Sequence, residues 1–285
     1  MQSFFKKLPR YSLRLLLAYL VYIFTGGVLA YLLPRQARNL PQTDSFYGIG
    51  RGPDRAVLVE EPQDAFARRV EVIRTAQSTL DVCYHCVKSG ETTECFFAEL
   101  LRAADRGVRV RVLLDGTVGG LSGARSNIAL ALRAHPNIEY RIYNLVDLLR
   151  PWEWNALLHD KFILADDRML LLGGRNIGDE YFAPPGYEGA VTYDRDVLVL
   201  NDLAGTPDSS ESVTAQAKIY MDTLWDAPET DKFGTLSPSR RADGLAAQEY
   251  LKETAARWEA AAPSFYLPSE PASQCAVPTQ RVTLL

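Results

Sequence analysis

The chain has 285 residues, of which 47% are hydrophobic and 23% charged, with a net charge of -4. That is ordinary for a globular protein with a real core, and the acidic balance counts against a nucleic-acid partner, which requires a basic face. Four cysteines (Cys83, Cys86, Cys95 and Cys275) are too few for a disulfide scaffold.

Nineteen residues from Leu15 to Leu33 carry no charge. In a helix they nearly span the hydrocarbon core of a bilayer. Lys6, Lys7, Arg10 and Arg14 precede them, and Arg35 and Arg38 follow. Residues 1–38 therefore read as a transmembrane anchor. The basic excess places the N-terminus in the cytoplasm and the body outside it. A cleaved signal peptide is the rival reading; the apolar run is long for one, and no small-x-small site follows it. Residues 39–55 read as a linker.

A folded domain is expected over 56–205. Pro62 opens a helix whose Phe66, Val70 and Ile73 share a stripe. Leu80 to Val87 reads as a buried strand. It contains Cys83-Tyr84-His85-Cys86, but the odd spacing puts the two thiols on opposite faces, which argues against a metal site. Buried thiols, or a Cys86–Cys95 bridge in an exported domain, remain open. A helix with Phe96, Leu100, Leu101 and Ala104 inside stops at Gly107. Val108 to Leu114 alternates as a strand, a helix spans about 124–134, and Ile138 to Ile142 is a strand. Alternating strands and helices imply an α/β fold with a largely parallel sheet. Leu157–Ala165 and Met169–Leu172 form a hairpin turning at Asp166-Asp167-Arg168, and Arg195–Leu200 is a further strand. Residues 206–285 read as a helical extension with a Pro/Ser-rich tail, and Val282 onward looks like the start of a strand.

The chemically informative stretch is His159-Asp160-Lys161-Phe162-Ile163-Leu164-Ala165-Asp166, followed by Gly173-Gly174-Arg175-Asn176. On a strand, His159 and Lys161 point the same way. Lysine neutralises phosphate oxygens and histidine can attack phosphorus. Glycines let backbone approach a ligand, and the Asn176 amide can donate to an oxygen. A surface hairpin is the plain alternative.

The joint pattern resembles the phospholipase D superfamily, whose signature is HxKxxxxD followed by G[GS]xN. The segment from Asn176 to Phe182, Leu100 to Leu114 and the Asp194-Arg195-Asp196-Val197 strand look like bacterial cardiolipin synthases, so the resemblance covers about 56–202. It implies a mixed, largely parallel sheet flanked by helices. It also implies a phosphohistidine on His159, with Lys161, Gly174 and Asn176 at the phosphate, and Asp166 placed with the catalytic set though more often fixing the turn. An acid usually bonds the other imidazole nitrogen; Asp196 is the candidate and Asp194 the second choice. No metal or cofactor is implied.

The signature occurs once, while the family's site uses two. His135, before Pro136, suits a capping or surface role; His85 suits a packed core position, with a place flanking the site as the alternative. A second half-site is therefore expected, from a homodimer mate or a separate C-terminal half. The leading expectation is a membrane enzyme of phospholipid headgroup exchange or hydrolysis, with Trp152 and Trp154 near the bilayer interface. A homodimeric membrane-tethered nuclease and a non-catalytic phospholipid-binding half-domain are the alternatives.

Overall fold

The computed structural model describes residues 10–29, 32 and 50–284. Lys6, Lys7, Arg35, Arg38 and the linker as far as Ile49 lie outside the described residues. Helix α1 (Arg10–Phe24) runs into a π-helical turn, Thr25–Leu29. By length and composition, Tyr11–Leu29 is apolar enough to cross a membrane, with a mean hydropathy of 1.7. The glycine pair has a use here. A Cβ on Gly26 would stand 3.0 Å from the ring of Pro151, and one on Gly27 3.2 Å from the Pro151 carbonyl oxygen.

The body is α/β, built on one mixed sheet. Its strands are β1 (Asp54–Val59), β2 (Thr79–Tyr84), β3 (Arg109–Asp115), β4 (Ile138–Tyr143), β5 (Lys161–Ala165), β6 (Met169–Gly173), β7 (Asp196–Asn201), β8 (Thr230–Lys232) and β9 (Val277–Pro278). Their order is β8-β4-β3-β2-β5-β6-β7-β1-β9. The parallel part is confined to β2, β3 and β4. Helix α2 (Pro62–Thr75) leads into β2, and α3 (Glu91–Asp105) and α4 (Ser126–Ala134) make the two crossovers that parallel pairing requires. From β5 onward the pairing is antiparallel: a three-residue turn joins β5 to β6, and a longer connection that carries the helix Asp179–Phe182 joins β6 to β7.

Helices cover both faces. One core joins Leu80, Val82, Ile163 and Leu171 to α2, α3, α4 and the long helix α7 (Pro238–Ala261), which follows α5 (Asp179–Phe182) and α6 (Val213–Trp225) in the chain. The other joins Cys83, Leu113, Phe162 and Leu164 to Val213, Ala217, Met221 and Trp225 of α6. The stripe on α2 and the inner face of α3 are buried as the periodicity predicts.

Three boundaries differ from expectation. Strand β1 opens at Asp54, inside the stretch read as linker, and pairs along its whole length with β7. The 206–285 segment is no appendage: β8 extends the sheet beside β4 and β9 beside β1. The Pro/Ser-rich tail is anchored by its aromatics, since Phe265 stacks on Phe66 at 4.5 Å and Tyr266 is fully buried. Third, Arg281–Leu284 forms no strand; Val282 and Leu284 pack on the α6 core instead.

Candidate active site

Strand β2 lies between β3 and β5, and Tyr84 at its end pairs with Lys161 at the start of β5. The residues just past β2 therefore face those just before β5. His159 sits in extended chain ahead of the strand, which begins at Lys161 rather than Leu157. The two side chains still share a side: Lys161 Nζ is 3.3 Å from His159 Nδ1 and donates to the His159 carbonyl oxygen at 2.5 Å. Lys161 is buried and His159 exposed.

Charge and burial tune both groups. The Lys161 cation is the main cause lowering the His159 pKa, followed by burial and then His85. Burial lowers the Lys161 pKa, against the opposing pull of Asp160 and Asp194. A neutral imidazole beside an ammonium is a nucleophile next to a group that neutralises an anion. A cavity of about 170 Å³ opens beside them, lined by Phe162, Leu172 and Tyr220 among others. Tyr220 donates to Asp160 at 2.9 Å, fixing one wall.

Asn176 is brought in from the other motif. The chain at Cys86–Lys88 zips against Asn176–Ile177 through Ile177 N–H to the Cys86 carbonyl and Lys88 N–H to the Ile177 carbonyl. The Asn176 Oδ1 accepts from Cys86 N–H at 3.0 Å. Its amide nitrogen donates to the Tyr181 hydroxyl at 3.1 Å and carries a second N–H for a ligand. The segment after Asn176 is structural. Asp179 accepts from the backbone of Glu91 and Thr92 and so caps α3, and Phe182 is fully buried.

Other expected residues are placed elsewhere. Asp166 ends β5 opposite His159, roughly 20 Å away at about 3.3 Å per residue. Its carboxylate accepts from Gln77, Ser78 and Thr79 N–H at 2.8–3.0 Å, so it holds a turn and not a substrate. Asp196 does not reach the imidazole either. It is buried between Arg69 and Arg175, at 2.9 and 3.0 Å, so both its oxygens face guanidinium or backbone N–H. Asp194, the second choice, lies against Gly174, where a Cβ would stand 2.1 Å from its Oδ1. The glycines of the second motif thus make room for Asp194 and Asp196 of the same chain, and not for a ligand.

Two histidines come out differently. His135 caps α4, with Nε2 3.1 Å from Asp105, in keeping with its expected role. His85 is not a packed core residue: its ring centroid is 4.4 Å from that of His159. The signal was the antiparallel pairing of β2 with β5, which brings the residue after Tyr84 beside the one before Lys161. Cys86 and Cys95 are both free thiols, Cys86 beside Asn176 and Cys95 inside α3, so the bridge is not formed.

A histidine–lysine pair at the start of β5 and a carboxamide just past the end of neighbouring β6 thus come from the two parts of the motif. Residues 70–199 match the family model described as cardiolipin synthase, PLD-like domain. Over those residues the chain is similar to phospholipase D superfamily domains of the cardiolipin-synthase kind. It is 38% identical over 152 residues to cardiolipin synthase C of Escherichia coli, covering 50% of this chain and 31% of that one. It is also 38% identical over 138 residues to an uncharacterized protein of Helicobacter pylori, covering 45% of this chain and 27% of the other. A solved phospholipase D family member, Nuc from Salmonella typhimurium, has a TM-score of 0.47 and 16% identity, covering 64% of this chain and 99% of that one. The chain spans less than a third of the length of these curated relatives.

Proposed function

We propose that this chain is a membrane-anchored phosphodiesterase or phosphatidyltransferase acting on phospholipids, similar to cardiolipin synthase, with a phosphohistidine on His159. The observation that carries the reading is the His159–Lys161 contact at 3.3 Å, with Asn176 held one residue away from the neighbouring His85. Neutral His159 attacks phosphorus. Lys161 and the free N–H of Asn176 hold the non-bridging oxygens, which gain charge in the transition state. Water or an alcohol then takes the phosphatidyl group. The leaving oxygen requires a proton, and in a two-motif arrangement a second half-site provides it, from another copy or a separate half.

A lipid substrate is supported by the surface beside the site. Between β4 and His159, Leu145, Val146, Leu148, Leu149, Trp152 and Leu157 are all exposed. They sit against α1: Tyr19 donates to the Leu148 carbonyl, Tyr22 to that of Leu149, and Tyr22 packs edge-on against Trp152. Trp154 is half-buried and donates to the Asp147 carbonyl, so it serves the loop rather than the bilayer. An anchor in the bilayer and an apolar loop at its surface bring the site to the headgroups. The basic N-terminal flank favours a cytoplasmic N-terminus and a body on the far side.

The test is the full chain in phosphatidylglycerol vesicles, with products read by mass spectrometry beside a DNA-nicking assay. Phosphatidic acid or cardiolipin is expected, lost by about a thousandfold or more in His159→Ala and Lys161→Ala. DNA cleavage without lipid product would replace the reading with a tethered nuclease, and lipid binding without product with a binding module.

A further inference from the structure

We propose that the cavity beside His159 is a hydrocarbon subsite, which takes the first methylenes of the apolar chain on the ester that stays on phosphorus. The inference rests on His159 being the nucleophile, and it names the part of the substrate that the site recognises.

Two elements and the tail build the cavity. Along β5 and β6, Phe162 pairs with Leu172 and Leu164 with Leu170, and these side chains face α6. Ala217 and Tyr220, one turn apart on α6, form the facing wall. Leu284 completes the lining, its N–H held by Gln216 Oε1 at 3.0 Å. His159 and Lys161 belong to the same lining, so the cavity opens onto the phosphate site. Ala217 sits where a larger side chain would fill the space.

The walls suit hydrocarbon. Phe162, Leu170, Leu172, Ala217 and Leu284 offer no polar side-chain atom. The polar groups among them are engaged with each other, since Tyr220 donates to Asp160 at 2.9 Å. Burial, and then the Asp160 charge, raises the Tyr220 pKa, so the phenol keeps its proton and that bond. A sugar ring would bury hydroxyls against apolar side chains, which is costly. A nucleic acid would also bring a neighbouring phosphate towards the Asp160 charge. The volume, about 170 Å³, is close to the roughly 150 Å³ of an apolar cavity that takes benzene, so it has room for about six carbons. Exposed Leu157 stands two residues ahead of His159, and the apolar surface of the 145–157 loop therefore runs up to the mouth.

The experiment uses alkyl p-nitrophenyl phosphates with ethyl, butyl, hexyl and octyl chains, on the full chain in detergent micelles. The His159 lone pair attacks phosphorus, the bond to the phenolate oxygen breaks with its electron pair, and the alkyl phosphate stays on His159. The p-nitrophenolate burst reads this step, and peptide mass spectrometry locates the adduct. Each methylene that enters the cavity is worth about fourfold in the second-order rate of the burst. The rate is expected to climb by about that factor per carbon up to about six carbons, then to level off between hexyl and octyl. Uptake into micelles has no break at that length and is the same for every variant. In Ala217→Phe the ring fills the cavity, and the hexyl-to-ethyl ratio is expected to fall by about tenfold or more. A ratio taken within one variant does not depend on the fraction folded. In Leu172→Ala the cavity grows, and octyl is expected to exceed hexyl by about fourfold or more, a gain that misfolding does not produce. Thymidine p-nitrophenyl phosphate is expected to react more slowly than the hexyl ester. A wild-type rate that climbs undiminished from hexyl to octyl, an unchanged ratio in Ala217→Phe, no octyl gain in Leu172→Ala, or a faster thymidine ester would each overturn the inference while leaving the His159 reading intact. No adduct on wild-type His159 with any ester would overturn both.

Discussion

The ammonium of Lys161 stands 3.3 Å from Nδ1 of His159, and its charge is the main reason the His159 pKa lies below the ordinary imidazole value. A lowered pKa keeps the ring neutral, with its lone pair available, further into the acid range. Activity is therefore expected to fall as pH drops through the lowered His159 pKa, since protonation removes the nucleophile. In Lys161→Met the cation is gone, so the His159 pKa rises and the ring protonates at higher pH. An NMR titration of the His159 Cε1–H reads this directly; a midpoint that stays put or moves down would show that Lys161 does not set it. Asp166 calls for the opposite kind of test. It adopts φ 51°, which aspartate tolerates better than most residues, and it receives three backbone N–H bonds. Asp166→Ala is expected to cost about 1–3 kcal/mol in urea unfolding. The adduct formed per folded molecule should stay near wild type. A variant as stable as wild type but without adduct would place Asp166 in the chemistry after all.

Among the elements, the loop from Asn144 to Leu158 is the least like a soluble connection. It exposes four leucines, Val146 and Trp152, yet it is tied to α1 through tyrosine hydroxyls and the Gly26–Pro151 contact. Because α1 alone would retain the chain on a vesicle, simple binding does not report on this loop. Depth does. Brominated lipids are expected to quench the fluorescence of Trp152, identified by the signal missing in Trp152→Phe, and the quenching should vanish in a Leu148→Asp/Leu149→Asp variant. No quenching in the wild type would mean that the loop stays in water, and quenching that survives both aspartates would mean that α1 alone holds it at depth. This scale also shows what the sequence made legible. The β5–β6 hairpin, α2 and α3 were readable because each carries its own periodicity and turn residues. Strand β1 was not, because Asp54–Val59 has an exposed Leu58 and becomes a strand only by pairing with β7 and β9. Two- and three-residue strands such as β8 and β9 have no local pattern to find.

For the molecule as a whole, the same division separates the motif from its support. His159, Lys161 and Asn176 were legible because their spacing is local. The partners of Asp196 were not, because Arg69 lies 127 residues away in α2. Those partners form the tie between distant parts. Arg69 joins Asp196 to the hydroxyl of Tyr84 on β2, and Arg175, inside the second motif, reaches Asp196 and the carbonyl of Val59 on β1. Both guanidiniums are essentially inaccessible, at 1% and 0% exposure. Removing the carboxylate would leave two buried cations facing each other, and breaking a buried pair in this way costs about 3–5 kcal/mol. Arg195 and Glu60 make an ion pair of similar length, 2.8 Å, but their side chains are 73% and 51% exposed. Solvent screens that pair, and it contributes at most about 1 kcal/mol. Urea unfolding should therefore separate two neighbouring residues sharply: Asp196→Asn strongly destabilised, Arg195→Gln nearly neutral. Equal effects would mean that Asp196 is not the tie. The larger loss should come with loss of the His159 adduct, because Arg175 directly precedes Asn176 and its displacement carries the amide away from Cys86.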